Sequence, residues 1–225
     1  MTERKTTFLK LYEDIKINGE WVTTFSRTIE PKVYERTITL SGQRWESINK
    51  RCQVGGDQQT KYPRYEGTTN LFPNFNDFVE WSQGEVGYAL REQVGKQSWT
   101  YCIEKDILGN GSKIYSPDTC LYVPNAVNIF LTARNASRGD YPIGAAWKEK
   151  NKKFQAQVRD RTTSRYLGLH SDPMEAHRAW QLGKIDIGRN FALEFKGWHD
   201  KLFVGLNAWL DKIQDDYDNY RETIL

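Results

Sequence analysis

The sequence predicts an α+β fold in which a ββα unit precedes a three-stranded antiparallel sheet packed on one helix, with further helices at the C-terminal end. Three patterns lead to this prediction. Strand, turn, strand and helix signals follow one another within residues 99–131. Polar and apolar residues alternate through much of residues 143–170, and apolar residues recur at helical spacing from residue 173 onward.

The N-terminal part, residues 1–42, predicts a short hairpin, because Asn18-Gly19 is flanked by β-branched and aromatic residues in FLKLYEDIKINGEWVTTF. Residues 43–52 (QRWESINKRC) and 75–82 place apolar residues at helical spacing, so each predicts a helix. The segment between these two is rich in Gly, Pro, Asn and Thr, which is typical of a loop.

The ββα unit is predicted in WTYCIEKDILGNGSKIYSPDTCLYVPNAVN. A strand is expected from Trp99 to Leu108, followed by a turn at Gly109-Asn110-Gly111 and a second strand at residues 113–115. CLYVP is a further strand-like piece, and Asn125 is a candidate N-cap of the following helix. One-metal nucleases often place their ligands on a scaffold of this kind.

The sheet that follows has one apolar and one polar face, because alternate residues of KKFQAQVRDR point to opposite sides. The apolar face needs a partner, and the helix opened by Asp172 and Pro173 offers small and aromatic residues at helical spacing. The polar face is expected to carry Lys148, Lys150, Gln155, Gln157 and Arg159, with Arg161 and Arg165 nearby. Arg and Gln side chains are those that hold phosphates and read base edges. A solvated sheet face is the alternative interpretation.

Charge is concentrated on this part of the chain. Residues 134–185 contain eleven Lys or Arg against five Asp or Glu, whereas residues 186–225 contain five against eight. The excess favours contact with a polyanion. Element patterns and charge together divide the chain into an N-terminal hairpin and extension at 1–42, a central module at 43–133, a basic sheet-and-helix module at 134–185 and a C-terminal helical segment at 186–225.

Composition excludes other classes. No run of about 18 apolar residues is present, so a membrane span is not expected, and the N-terminus does not resemble a secretory signal. Three cysteines without CxxC spacing argue against a structural zinc site or a disulfide framework. A cytoplasmic location is the expectation.

The segment YPIGAAWKEKNKKFQAQVRD…SRYLGLHSDPMEAHRAWQLGKI resembles the plant apetala-two/ethylene-response-factor type of DNA-binding domain, which also occurs in phage homing endonucleases. The resemblance is carried by Gly144-Ala145, Lys153-Phe154-Gln155-Ala156, Leu167-Gly168-Leu169 and Glu175-Ala176. It implies that the exposed sheet face enters the major groove of double-stranded DNA, with contacts by Lys148, Gln155, Gln157, Arg159 and Arg165. The sequence departs from the plant pattern at Ala146, where an arginine is usual.

Residues 43–133 are similar to the phage HNH-type endonuclease family, in the Arg51-Cys52 beginning and the YSPDTCLYVP ending at residues 115–124. The resemblance implies an HNH-like ββα-metal module. Glu104 (or Asp106) would be the strand ligand and Asn128 the helix ligand of one Mg²⁺ or Mn²⁺, ions that prefer oxygen donors.

The same resemblance gives Lys105 the place of the family's general base, and Asn110 would hold the turn or orient that base. All three histidines lie outside this module, and lysine is a weak base at its ordinary pKa. Three interpretations follow: Lys105 or a carboxylate transfers the proton, the site is a variant, or the fold only binds DNA.

Three functions remain open on the sequence alone. The first is a metal-dependent DNA endonuclease that nicks or cuts at a preferred site, and the second is an inactive DNA-binding or regulatory protein. The third is a protein partner or self-association through the aromatic, acidic segment 186–225. The preferred interpretation of that segment is a helical pair that covers the central module. His177 is expected to face solvent or phosphate.

Overall fold

The computed structural model describes residues 6–30, 33–94, 96–132, 140–160 and 163–225. It is an α+β protein with several small sheets and two long C-terminal helices. Arg161 lies outside the described residues. Among the described residues, none of the helices combines the length and the apolar character that crossing a bilayer requires.

The N-terminal region contains five strands, β1 (Thr6–Tyr12), β2 (Lys16–Ile17), β3 (Glu20–Trp21), β4 (Thr24–Glu30) and β5 (Val33–Thr39). Strand β5 lies between β1, which is parallel to it, and β4, which is antiparallel. The predicted hairpin is confirmed, since β2 and β3 pair across Asn18 and Gly19. Both turn residues have positive φ, 54° and 87°, as a two-residue hairpin turn requires.

The next helices are α1 (Leu40–Cys52), α2 (Asp57–Lys61), a 3₁₀ turn (Pro63–Tyr65) and α3 (Phe75–Gly84), with β6 (Thr69–Asn70) between the last two. The helices predicted at 43–52 and 75–82 are thereby confirmed. Side-chain oxygens of Thr39 and Asn74 cap α1 and α3, accepting from Gly42 N at 3.1 Å and Asp77 N at 2.9 Å.

The central strands and helices are β7 (Arg91–Val94), β8 (Gln97–Thr100), β9 (Cys102–Glu104), α4 (Asp106–Gly109), β10 (Ile114–Tyr115), β11 (Leu121–Val123) and α5 (Asn125–Leu131). Strands β9 and β11 pair antiparallel and lead into α5, which forms a ββα unit. The strand predicted over Trp99–Leu108 is wrong in extent. It is broken at Tyr101 and ends at Glu104, because Ile107 is drawn into the core on the helical turn α4.

The second predicted strand, at residues 113–115, also pairs differently from a simple hairpin. Strand β10 runs parallel to β6, so β11 rather than β10 is the partner of β9.

The predicted three-stranded sheet and its helix are present as β12 (Ala145–Lys148), β13 (Lys153–Asp160), β14 (Thr163–His170) and α6 (Pro173–Leu193). The strands are antiparallel in the order β12-β13-β14, and α6 packs on one face. The approach is close at Gly144, where a Cβ would lie 2.1 Å from the Trp180 side chain. Asp172 caps α6 as expected, accepting from Met174 N at 2.8 Å.

Helix α6 continues beyond residue 185 and packs against α7 (Asp200–Asp218). One apolar cluster runs from Val127 of α5 through Trp180 and Phe191 of α6 to Leu206 of α7. It therefore crosses the proposed boundaries at 133/134 and 185/186. Helix α7 also contacts α4, where a Cβ at Gly205 would lie 2.5 Å from Ile107. The C-terminal helices thus cover the central unit, as the preferred interpretation predicted.

Candidate metal site and nucleic-acid surface

A cleft of about 1460 Å³ brings the predicted catalytic and metal-binding residues together. Its lining includes Glu104, Lys105, Asp106, Asn110 and Asn128. Glu104 ends β9, the next residues begin α4, and Asn128 comes from α5. In the antiparallel pairing of β9 with β11, Glu104 lies opposite Leu121 at the start of β11, whereas Val123, which leads into α5, lies opposite Cys102. A shared lining is the first requirement of a common site, and these residues meet it.

Glu104 is a nearly buried carboxylate, with 7% of its surface exposed. One of its oxygens accepts a hydrogen bond from the backbone N–H of Asp106. Burial, together with the nearby negative charge of Asp106, raises the pKa of Glu104 to about 7. A cation placed at this carboxylate would compensate the lost solvation, so the site favours positive charge.

Lys105 is also buried, with 8% exposure. Its ammonium forms an ion pair with the carboxylate of Asp106 and lies 5.8 Å from the ring centroid of Tyr115. An ammonium held by a carboxylate is a hydrogen-bond donor and a source of positive charge. This geometry does not present Lys105 as a proton acceptor.

Asn128 lies half-buried in the middle of α5. The C-terminal end of that helix is anchored by Lys184 of α6, whose ammonium donates to the carbonyl of Phe130. Terminal carbonyls of a helix have no partner within the helix, so this contact satisfies one of them. Helix α6 thereby helps to fix the helix that carries the candidate ligand.

Asn110 occupies the C-cap of α4 with φ of 52°, in the left-handed region. Its side-chain oxygen accepts a hydrogen bond from Lys212 of α7. The conformation fits the turn-holding role expected from the sequence. The contact with Lys212 brings α7 to the edge of the cleft.

The donor set is small. Among the described residues, no group of three or more His, Cys, Asp and Glu side chains could hold a metal ion. Two carboxylates and the amide oxygen of Asn128 are oxygen donors, and Mg²⁺ or Mn²⁺ is commonly held by one or two carboxylates with the remaining positions filled by water and substrate phosphate. These donor types are the ones that Mg²⁺ or Mn²⁺ takes, and they do not suit zinc.

The polar face of the β12–β14 sheet is open. Gln157 and Arg159 are exposed, Lys148 and Gln155 are half-buried, and Lys150 is exposed in the β12–β13 turn. Gln155 donates to Gln157 at 3.2 Å. These two amides, with Lys148, Lys150 and Arg159, are called the polar strip. Helix α6 packs on the opposite face, where Ala156 and Val158 are buried. The C-terminal helices leave this strip exposed.

Arg165 does not lie on that face. It pairs across the sheet with Val158, which is buried against α6, and its guanidinium contacts Asp186 of α6 at 2.8 Å. The register shifts at Ala156/Gln157, and the shift places Tyr166 opposite Gln157 instead. Tyr166, with 59% exposure, is therefore a member of the polar face that the sequence reasoning missed.

His177 was predicted to face solvent, and this is wrong, because it is fully buried. Its Nδ1 lies 2.7 Å from the carbonyl of Ile143, and its Nε2 accepts from the N–H of Thr223 at 3.0 Å. The chain end returns to α6 and covers the ring.

Three cations that the sequence did not predict as site residues also lie on the cleft wall. Arg51, Lys61 and Arg64 line the cleft beside Tyr62 and Tyr65. The segment KYPRY, residues 61–65, combines cations and aromatic residues and is the signal that could have found them.

Comparison of the chain with protein-family models, with curated proteins and with solved structures gives no match.

Proposed function

We propose that this protein is a metal-dependent DNA endonuclease, which hydrolyses a phosphodiester bond of double-stranded DNA at the cleft. The observation that carries the proposal is that Glu104, Asp106 and Asn128, which come from the ββα unit and the adjoining turn α4, line one cleft. The resemblance of residues 43–133 to HNH-type endonucleases points the same way. Residues 134–185, which resemble apetala-two-like domains, would supply the DNA-binding face.

Glu104, Asp106 and Asn128 would hold one Mg²⁺ or Mn²⁺ through their oxygens. Such an ion, when bound, polarises the phosphate and stabilises the leaving oxygen. The positive charge of Lys105, oriented by Asp106, lies where it can donate a hydrogen bond to the phosphate or to the leaving oxygen. A carboxylate is then the better candidate than Lys105 for accepting the proton of the attacking water. Asn110 keeps the α4 turn in place.

Binding of the duplex would fall to the polar strip of the sheet. Lys148, Lys150 and Arg159 can contact phosphates, and Gln155 and Gln157 can reach base edges in the major groove. The exposure of this strip on the face opposite α6 supports the assignment.

The test is plasmid nicking by the full chain, with Mg²⁺ and with chelator present. Glu104→Gln and Asn128→Ala should each abolish nicking while the fold, followed by circular dichroism, is retained. Glu46→Gln is the matched control, because this half-buried α1 carboxylate pairs with Lys50 and does not line the cleft. Nicking that survives both cleft substitutions, or that needs no divalent ion, would refute the proposal.

A catalytically inactive DNA-binding protein is the second candidate. The small donor set among the described residues and the absence of histidine from residues 43–133 favour it. This candidate predicts tight duplex binding, loss of binding in Arg159→Ala, and no nicking under any divalent ion.

The segment 186–225 is also proposed as a contact to a second copy. Its helices cover the central unit, yet Leu193, Trp198 and Val204 keep exposed apolar side chains. Sedimentation of the full chain and of Val204→Lys tests this. A dimer that dissociates on substitution supports the contact, and a wild-type monomer excludes it. The cytoplasm stays the proposed compartment, where the unpaired Cys52, Cys102 and Cys120 would remain reduced.

A further inference from the structure

We propose that the cleft carries a second DNA contact, in which Arg51, Lys61 and Arg64, held by Tyr62 and Tyr65, bind the phosphate backbone of the duplex strand that is cut. These five residues are called the cation–aromatic wall. The inference rests on the proposed nuclease function and deepens it. It adds a contact that is separate from the polar strip of the sheet.

The wall is built from the end of α1, the end of α2 and the 3₁₀ turn that follows. The guanidinium carbon of Arg64 lies 5.3 Å from the ring centroid of Tyr62 and 5.2 Å from that of Tyr65. Arg51 lies 5.3 Å from the Tyr65 ring, and Lys61 lies 5.4 Å from the Tyr62 ring. Aromatic faces attract cations, so the rings hold these long side chains in defined positions.

In the part of the chain that the structure describes, no carboxylate neutralises the charge of the wall. Arg51 donates to the hydroxyl of Tyr115 at 2.9 Å, a neutral partner. Within the described parts of the chain, no ion pair joins Arg51, Lys61 or Arg64 to an acidic side chain, in contrast to Arg189 and Arg221. Three positioned cations without counter-charges are suited to a polyanion.

The wall adjoins the candidate metal site through Tyr115. The hydroxyl of this buried tyrosine accepts a hydrogen bond from Arg51, and the ammonium of Lys105 lies over its ring. In the lining of the cleft as a whole, Lys and Arg side chains outnumber Asp and Glu side chains by seven to three. A phosphodiester lying at Glu104 would therefore have cationic side chains along its flanking phosphates.

The geometry favours phosphate contact over base stacking. Two cations already lie over the Tyr62 ring, and Tyr62 meets Tyr65 edge-on, at 6.1 Å and an interplanar angle of 79°. Single-strand binders instead offer aromatic faces to successive bases. The occupant that fits this wall is the backbone of a duplex.

The experiment measures binding of a short DNA duplex by the full chain in chelator, by fluorescence anisotropy at several salt concentrations. The double variant Lys61→Gln/Arg64→Gln should make the negative slope of log Kobs against log salt shallower by about 2, since each phosphate contact contributes about −0.9. The charge-matched control is Lys50→Gln/Lys201→Gln, which removes two cations that pair with carboxylates outside the cleft. The control should leave the slope unchanged.

Three outcomes would overturn the inference. If the wall variant binds with wild-type slope while Arg159→Ala loses affinity, the wall is not a contact and the nuclease proposal stands. If the wall variant loses affinity for single-stranded DNA or RNA but keeps duplex affinity, the occupant is wrong. If the wild-type protein binds no duplex at all, the proposed function fails and this inference fails with it.

Discussion

Lys184 gives the sharpest energetic prediction, because a buried ammonium without a carboxylate is costly. Its Nζ donates to the Phe130 carbonyl and lies 3.7 Å from the centroid of the Phe130 ring. Among the described residues no acidic side chain pairs with it. Burial lowers the pKa of Lys184 to about 7, from an ordinary value of 10.5.

The sign and size of the effect follow from proton linkage. Between pH 7 and 10.5 the unfolded chain holds the proton of Lys184 and the folded chain releases it, so this group makes stability rise with pH. A difference of about 3.5 pKa units corresponds to about 5 kcal/mol in full, of which about 2 kcal/mol falls between pH 7 and pH 9. Below pH 7 both states are protonated and the full cost remains.

Lys184→Met removes this cost while keeping the volume of the side chain. We expect the variant to be more stable than wild type by about 2 kcal/mol at pH 7, after allowing for the donor lost to the Phe130 carbonyl. The advantage should shrink by about the same amount by pH 9.

Urea unfolding at pH 7, 8 and 9 measures both quantities. Lys201→Met, at an exposed lysine of α7, is the control and should show neither effect. A Lys184→Met variant that is less stable at pH 7, or whose advantage does not change with pH, would refute the reasoning about buried charge.

Three further predictions concern the cleft and the sheet. In chelator at pH 8, Glu104→Gln should be more stable than wild type by about 2 kcal/mol in urea unfolding. Burial raises the pKa of Glu104 to about 7, so the ionised carboxylate destabilises the fold as the pH rises from 4.5 to 7. Equal stability of the two proteins would contradict this. Gly205→Ala should cost about 1–3 kcal/mol and lower nicking, because the new Cβ would lie 2.5 Å from Ile107 beneath α4; an unchanged melting temperature would contradict it. Arg159→Ala should weaken duplex binding and make the negative slope of log Kobs against log salt shallower by about 1, measured by anisotropy. Lys50→Gln is the control and should change neither quantity.

Local signals predicted the elements whose structure is determined by neighbouring residues. The hairpin at Asn18-Gly19 depends on two residues that accept positive φ, and the N-terminal end of α6 depends on Asp172 as its cap. Each of these is encoded within a few residues. The polar strip of the sheet also followed from simple alternation, through Gln155, Gln157 and Arg159.

Long-range packing decided the elements that the sequence did not predict. The end of β9 and the helical turn α4 depend on Ile107 meeting α7, which lies far along the chain. Arg165 lies on the face that packs against α6, because the register shift at Ala156/Gln157 interrupts the alternation of the strand. His177 is buried because Thr223 returns to it. None of these causes is visible in a local window of sequence.

The candidate site combines residues that are neighbours in the sequence with residues that only the fold brings to the same cleft. Glu104, Lys105 and Asp106 are consecutive in the chain, so the sequence alone places them close together. Asn128 came from the resemblance to HNH-type endonucleases, and its arrival at the same cleft required β11 and α5 to follow β9 in space. Four residues of the cation–aromatic wall lie in the segment KYPRY, but Arg51 reaches the Tyr65 ring only through the packing of α1 and α2.

A crystal grown with Mn²⁺ and measured near the manganese absorption edge tests the central claim most directly. We expect one anomalous peak at about 2.0–2.6 Å from a Glu104 carboxylate oxygen and from the amide oxygen of Asn128. The peak should disappear in Asn128→Ala. A peak held by other residues, or an empty cleft in a protein that nicks DNA in the same buffer, would contradict the assignment of this cleft as the metal site.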